Sequence, residues 1–153
     1  MNKIDTSEES IEIFLNECIS NPSKCSEFEL NLKDGHTSFH DRIYTTIKAD
    51  SCTTVYIPRG VPVDPAEERK RGKSSTQKID QQAMDHFISG LLQVQFWKLE
   101  NCKKYGIPDE STLHFTLLKN GIPIFEKEIW GNCKTSDSRL KSILDLITGL
   151  SKS

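Results

Sequence analysis

At 153 residues, with 27% charged and 35% apolar side chains and a formal net charge of −2, the chain has the size and balance of one globular domain. A core of that size stands without metal or disulfide. The near-neutral balance excludes a globally basic nucleic-acid binder and leaves only local basic patches, and no apolar run reaches the length of a membrane span.

The first predicted element is a helix opened by a capping box of Thr6 and Glu9, in which hydroxyl and carboxylate each satisfy an orphan amide. Ile11, Phe14, Leu15, Cys18 and Ile19 form its apolar stripe, and Glu8, Glu9, Glu12 and Glu17 its outer surface. Asn21-Pro22 ends it. Residues 27–32 alternate as a half-buried strand, and Asp34-Gly35 supplies a turn. Phe39, Ile43 and Ile47 share one face of a second strand, with Asp41 marking a bulge. His40, Arg42, Tyr44, Thr46 and Lys48 are expected on its solvated face. Thr53, Val55 and Ile57 make a third strand, and the short connections require an antiparallel meander.

Residues 58–78, with Pro58, Gly60, Pro62 and Pro65 followed by Arg69, Lys70, Arg71, Lys73 and Lys78, are expected as an exposed, mobile loop. A long helix from about Gln77 to Val94 follows, capped by Ser74 and Gln77. It buries Ala83, Met84, Phe87, Ile88, Leu91 and Leu92, and Gly90 permits close packing on the sheet. Phe96, Trp97 and Leu99 are core anchors, and residues 105–109 turn the chain. Leu113, Phe115 and Leu117 face the core across a hairpin at Asn120-Gly121 from a return strand at about Ile124–Trp130. Ser136 and Asp137 open a last helix with the stripe Leu140, Ile143, Leu144 and Ile147, ended by Gly149. The expectation is a single α+β domain over 1–153 in the order α-βββ-α-ββ-α. It has an antiparallel sheet of about five strands with helices packed on one face.

A helix ending in Phe96-Trp97-Lys98-Leu99, a turn containing Asp109, a hairpin at Asn120-Gly121, then Trp130 and a helix ending near Leu150 form a recurring layout. Over residues 79–150 it resembles a group of small, mostly uncharacterised bacterial α+β proteins. Members commonly have Asp-Gly in the turn where this chain has Asp109-Glu110. The group brings no catalytic residues. By topology the layout also resembles the α+β immunity proteins that protect bacteria from toxins.

Motifs with chemical potential fall short on spacing. His36 and His40 have H-x-x-x-H spacing, but on a strand residues four apart lie about 13 Å from each other, too far to share an ion. Gly72-Lys73-Ser74 resembles the end of a phosphate-binding loop, yet Glu67 stands where that motif needs its first glycine. A cysteine nucleophile needs a nearby histidine and an electropositive pocket, and nothing in the sequence singles out Cys52 with His36 or His40 on adjacent strands for that role. Glu126 and Glu128 share one solvated strand face. No catalytic residue, metal or cofactor is assigned. His36, His40 and His114 are the groups from which an enzyme site would have to assemble in three dimensions.

Five cysteines, Cys18, Cys25, Cys52, Cys102 and Cys133, without a C-x-x-C pair or a signal peptide are expected as reduced thiols in a cytoplasm. The leading expectation is a non-catalytic protein-binding module, most concretely an immunity-type inhibitor that occludes a cognate toxin. Glu8, Glu9 and Glu12 would meet a basic partner, with Tyr44, Tyr56 and Trp130 as anchors and Trp97 in the core. The alternative is nucleic-acid binding through Arg69, Lys70, Arg71 and Lys73, although no aromatics interleave them for base stacking.

Overall fold

The computed structural model describes residues 7–99, 112–130 and 138–151. Helix α1 (Glu8–Cys18) and a one-turn α2 (Pro22–Cys25) precede the meander β1 (Phe28–Asp34), β2 (Arg42–Lys48) and β3 (Ser51–Ile57). Helix α3 (Pro65–Arg71), strand β4 (Lys73–Lys78), helix α4 (Gln81–Gln93) and a 3₁₀ turn at Phe96–Lys98 follow. Strands β5 (Thr112–Lys119) and β6 (Ile122–Trp130) and helix α5 (Ser138–Ser151) complete the domain. The six strands form one antiparallel sheet in the order β4-β3-β2-β1-β5-β6.

The α+β class therefore holds, with one strand more than expected. Residues 58–78 are corrected from a loop to α3 and β4. Asp64 caps α3 through Ala66 N–H, Pro65 occupies its first turn, and Arg69, Lys70 and Arg71 fill its last, where cations suit the helix dipole. Gly72 then turns the chain directly into β4. The sequence KSSTQK carries no apolar alternation because neither of its faces is covered: five of its six residues are exposed.

The core lies between one sheet face and α1, α4 and α5. Phe28, Leu30 and Leu32 of β1, Ile47 of β2, Cys52 of β3 and Leu113, Phe115 and Leu117 of β5 are buried beneath them. Each such aliphatic or aromatic side chain contributes about 1.5–3 kcal/mol on burial. Phe28 meets Phe87 of α4 edge-on at 6.5 Å. Ile124 is the extra residue of a bulge, since Leu117 pairs with Phe125 and Leu118 with Pro123. The bulge turns Ile124 inward, out of strict alternation.

Several local expectations shift. The cap of α1 is Ser7, whose hydroxyl accepts from Ser10 N–H; Thr6 lies outside the described residues. The cap of α4 is Asp80, not Ser74, because Ser74 is already in β4. Gly90 packs on α5, not on the sheet: a Cβ there would stand 2.7 Å from Leu146 Cδ2. Asn21-Pro22 ends no continuous helix but starts α2, with Asn21 as its cap. In β3 the core residue is Cys52, while Thr53, Val55 and Ile57 point to the other face. The turn at residues 105–109, Cys102, Cys133, Ser136 and Asp137 lie outside the described residues.

Asp34-Gly35 opens a connection of seven residues, and Phe39 belongs to it instead of to β2. Gly35 has φ +98°, and a Cβ would sit 2.8 Å from the Asp41 carbonyl oxygen. Gly35→Ala is expected to lose about 1–3 kcal/mol from the backbone conformation alone, read as a lower urea midpoint. At the other hairpin, Asn120 (φ 54°) and Gly121 (φ 81°) adopt the left-handed pair that a tight two-residue turn requires.

Candidate functional site

The sheet face turned away from α1, α4 and α5 is polar and built in cross-strand rows. One row runs Ser74, Val55, Tyr44, Lys33, His114, Glu128 from β4 to β6. The next runs Thr76, Thr53, Thr46, Asn31, Thr116, Glu126. Strand period two places these residues together. Their central members, from Val55 across to His114 and Glu126, line a shallow groove of about 600 Å³. On this face Asn31 donates to Glu29 at 2.9 Å, Lys33 Nζ stands 5.5 Å from the Tyr44 ring centre, and the Thr53 and Thr76 hydroxyls meet at 3.0 Å.

Helix α3 closes one end of this face. Beneath it Arg42 is fully buried, a correction to the solvated position expected for it. Its Nε donates to Glu68 Oε2 at 3.1 Å, one terminal nitrogen to the Thr37 carbonyl at 3.1 Å and the other to the Pro62 carbonyl at 3.1 Å. Tyr44 donates its hydroxyl to the same Glu68 oxygen. A planar guanidinium with several donors in a fixed fork suits this role. One side chain thus joins β2, the 35–41 connection, the 58–64 segment and α3. Burial, followed by the Glu68 carboxylate, holds the Tyr44 phenol above its usual range.

On the helix-bearing face, the row nearest this same end is unevenly covered. It runs Ile129, Leu113, Asp34, Ile43, Tyr56, Lys73. Ile129 and Leu113 are buried under the helices, whereas Ile43 and Tyr56 are each 38% exposed. Phe39 (71% exposed) and Val63 (57%) lie in the two connections at this end, which Gly60 N–H joins by donating to the Ser38 carbonyl at 2.8 Å. These four account for most of the large exposed apolar side chains among the described residues. Arg59 N–H donates to Asp41 Oδ1 at 2.8 Å. That bond, with the Tyr56 hydroxyl, draws the Asp41 carboxyl below its ordinary value; the same contact raises the Tyr56 phenol.

The predicted interface residues are not brought together. Tyr44 pairs with Val55, so its neighbour Tyr56 points to the opposite face. Glu8, Glu9 and Glu12 are exposed on α1, with Glu9 and Glu17 one turn either side of Ile13, itself 51% exposed. Trp130 ends β6, and its side chain lies outside the described residues. Trp97 is buried as expected. Of the basic run, Arg71 pairs with Glu67 at 3.1 Å and Arg69 donates to the Pro65 carbonyl at 3.3 Å, while Lys70, Lys73 and Lys78 are exposed. Gly72-Lys73-Ser74 enters a strand and lacks the helix that a phosphate-binding loop precedes. The sequence does not reveal the patch at Phe39 and Ile43, because their spacing with Ile47 reads as one strand face whereas β2 begins only at Arg42.

The potential reaction groups are likewise dispersed. His36 Nδ1 lies 3.2 Å from Thr112 Oγ1 at the patterned end, and His114 sits mid-groove. His36 and His40 belong to the 35–41 connection and not to a strand, because β2 begins only at Arg42. Cys52 is in the core against Ile47, and burial raises its thiol. Cys18 and Cys25 are both fully buried, and their mutual hydrogen bond, with burial, pushes Cys18 far above the ordinary thiol range. Among the described residues no three His, Cys, Asp or Glu side chains gather as a metal site, and no helix is long and apolar enough to cross a membrane.

One carboxylate joins α1 to α4. Asp85 accepts from Ser20 N–H at 2.9 Å, from the Ser20 hydroxyl at 3.1 Å and from Gln81 at 2.7 Å. The Ser20 backbone bond, ahead of the side-chain bonds, lowers its pKa from the ordinary 3.8. The contribution to stability is therefore present above pH 3.8 and lost as pH falls through the lowered value. A carboxyl-carbon NMR titration of Asp85 is expected to show its midpoint below 3.8.

No protein-family model matches the chain, and no curated protein is significantly similar to it.

Proposed function

We propose that this domain is a non-catalytic protein-binding module, most concretely an immunity-type inhibitor that binds and occludes a cognate bacterial toxin in the cytoplasm. The observation that carries the reading is the row whose buried end, Ile129 and Leu113, gives way beyond Asp34 to exposed Ile43 and Tyr56, with exposed Phe39 and Val63 in the connections at the same end. Monomeric domains rarely gather exposed apolar side chains at one end without a use, and aromatic side chains with a neighbouring arginine are the composition of interface anchors. Phe39, Tyr56 and Arg59 supply that composition here. The Arg42–Glu68 network fixes the connections beneath them, so a partner meets a preorganised surface and loses little entropy on binding. The acidic face of α1, with Ile13 at its centre, is a second surface, suited to a basic region of the partner.

The test uses the full chain, tagged and cross-linked in its native host. Wild type is expected to retain a partner in stoichiometric amount whose toxic activity falls in the complex. Phe39→Ser with Tyr56→Ala is expected to lose that partner while remaining folded at the temperature of the experiment, read from its amide NMR dispersion. Retention by both proteins alike, or no partner for wild type, would dispose of the reading.

A further inference from the structure

Strand β4 ends the sheet, and its far side pairs with nothing among the described residues. Ile79 N–H donates to the Asp50 carbonyl at 2.9 Å, which fixes the phase of the β3–β4 ladder. Alternation then directs the amides and carbonyls of Gln77, Ser75 and Lys73 to β3. Those of Lys78, Thr76 and Ser74 point outward. Among the described residues no helix or connection lies over the strand, five of whose six residues are exposed. An open edge of this kind is a ready template for another strand.

Charge decides which strand fits. Lys73 and Lys78 stand at the two ends of β4, Lys70 and Arg59 are exposed nearby, and the residues between are Ser, Ser, Thr and Gln. A second copy would bring only further cations to this edge, because β4 carries no acidic side chain to oppose Lys73 or Lys78. An acidic extended segment meets both lysines favourably. Lys73 also pairs with Tyr56, so a strand added here runs beside the apolar row.

We infer that β4 takes an acidic, extended segment of a partner polypeptide by strand addition, through the outward main-chain groups of Ser74, Thr76 and Lys78 and the charges of Lys73 and Lys78. This rests on the protein-binding reading and names the partner's chemistry. In strand addition, main-chain bonds supply affinity and side chains supply selection.

The probe is a heptapeptide of valine and threonine with two glutamates five residues apart, so that one faces each lysine, titrated into the isotope-labelled full chain and followed by amide NMR. A lysine–valine peptide and a thymidine oligonucleotide serve as comparisons. The acidic peptide is expected to shift the Ser74, Thr76 and Lys78 amides and slow their solvent exchange, with affinity falling as salt rises. Thr76→Pro removes an outward amide without costing a ladder bond, and proline is tolerated on edge strands. It is expected to weaken the peptide about ten-fold or more while melting no lower than Thr76→Val, which loses the same hydroxyl contact with Thr53 and binds the peptide as wild type does. Equal response to the lysine peptide, preference for the oligonucleotide, or indifference to Thr76→Pro would overturn the inference. In the host capture experiment, a partner kept by Thr76→Pro but lost by Tyr56→Ala would refute strand addition alone and leave the protein-binding reading standing.

Discussion

Glu68→Ala is expected to destabilise the domain by about 3–5 kcal/mol, the cost of leaving a buried charge without its counterion. Arg42 is 0% exposed and its side-chain partner is 13% exposed, so water cannot take the carboxylate's place without opening α3. The same change leaves the Tyr44 hydroxyl without its acceptor. Urea unfolding reads the loss as a lower midpoint. The contrast is Glu27→Ala, which removes a pair with Lys24 of 3.6 Å whose side chains are 24% and 43% exposed, and is expected to cost less than about 1 kcal/mol. Replacing both members, as Arg42→Met with Glu68→Leu, is expected to recover most of the loss, because the desolvation penalty disappears with the charges. A loss below about 1 kcal/mol for Glu68→Ala would mean that the guanidinium is hydrated.

Phe96→Ala is expected to cost a similar amount, about 3–5 kcal/mol, by a different route: a cavity in packed core. Phe96 is fully buried, its ring centre 6.1 Å from that of Phe115 and 4.7 Å from that of Phe125. Gln95, at φ 55°, reverses the chain after α4 and aims the aromatic ring back between helix and sheet. The rings it meets belong to β5 and β6, so truncation loosens the join between α4 and the second hairpin. Phe39→Ala, at 71% exposure, is expected to change stability by no more than about 0.5 kcal/mol. That difference makes Phe39 a clean probe of binding.

Patterning was legible wherever burial was one-sided. The stripe of α4 and the alternation of β5 appear in the structure at the residues the sequence marks, because a covered face imposes its period on the chain. Strand β4 was illegible for the opposite reason: with both faces in solvent, Lys73 to Lys78 carry no alternation to read. The cap Asp64-Pro65 and the basic last turn of α3 were present as signals, but proline density over 58–65 outweighed them. Arg42 could not be recognised as buried because its partner Glu68 lies far along the chain, and only the fold brings α3 over β2. The candidate site suffered most. Tyr44 and Tyr56 look equivalent in sequence, and the single-residue offset in the β2–β3 register sends them to opposite faces.

The sheet order also dictates a sequence of events in time. Leu30 is flanked by Ile47 on one side and Leu117 on the other, so the central strand waits for a segment made much later. A nascent chain that has emerged only through α4 can form the local meander, yet the β1 edge is open and Leu30 and Leu32 lack their neighbours Leu117 and Phe115. The β5–β6 hairpin, nucleated by its own tight turn, closes the open side of β1, while α5 seats on α4 and β3. Pairings so distant along the chain are slow to form, because loop-closure entropy is lost before contact is gained. Between synthesis of residue 99 and that docking, β1 is the segment most exposed to misassociation, and a chaperone gains most by shielding it.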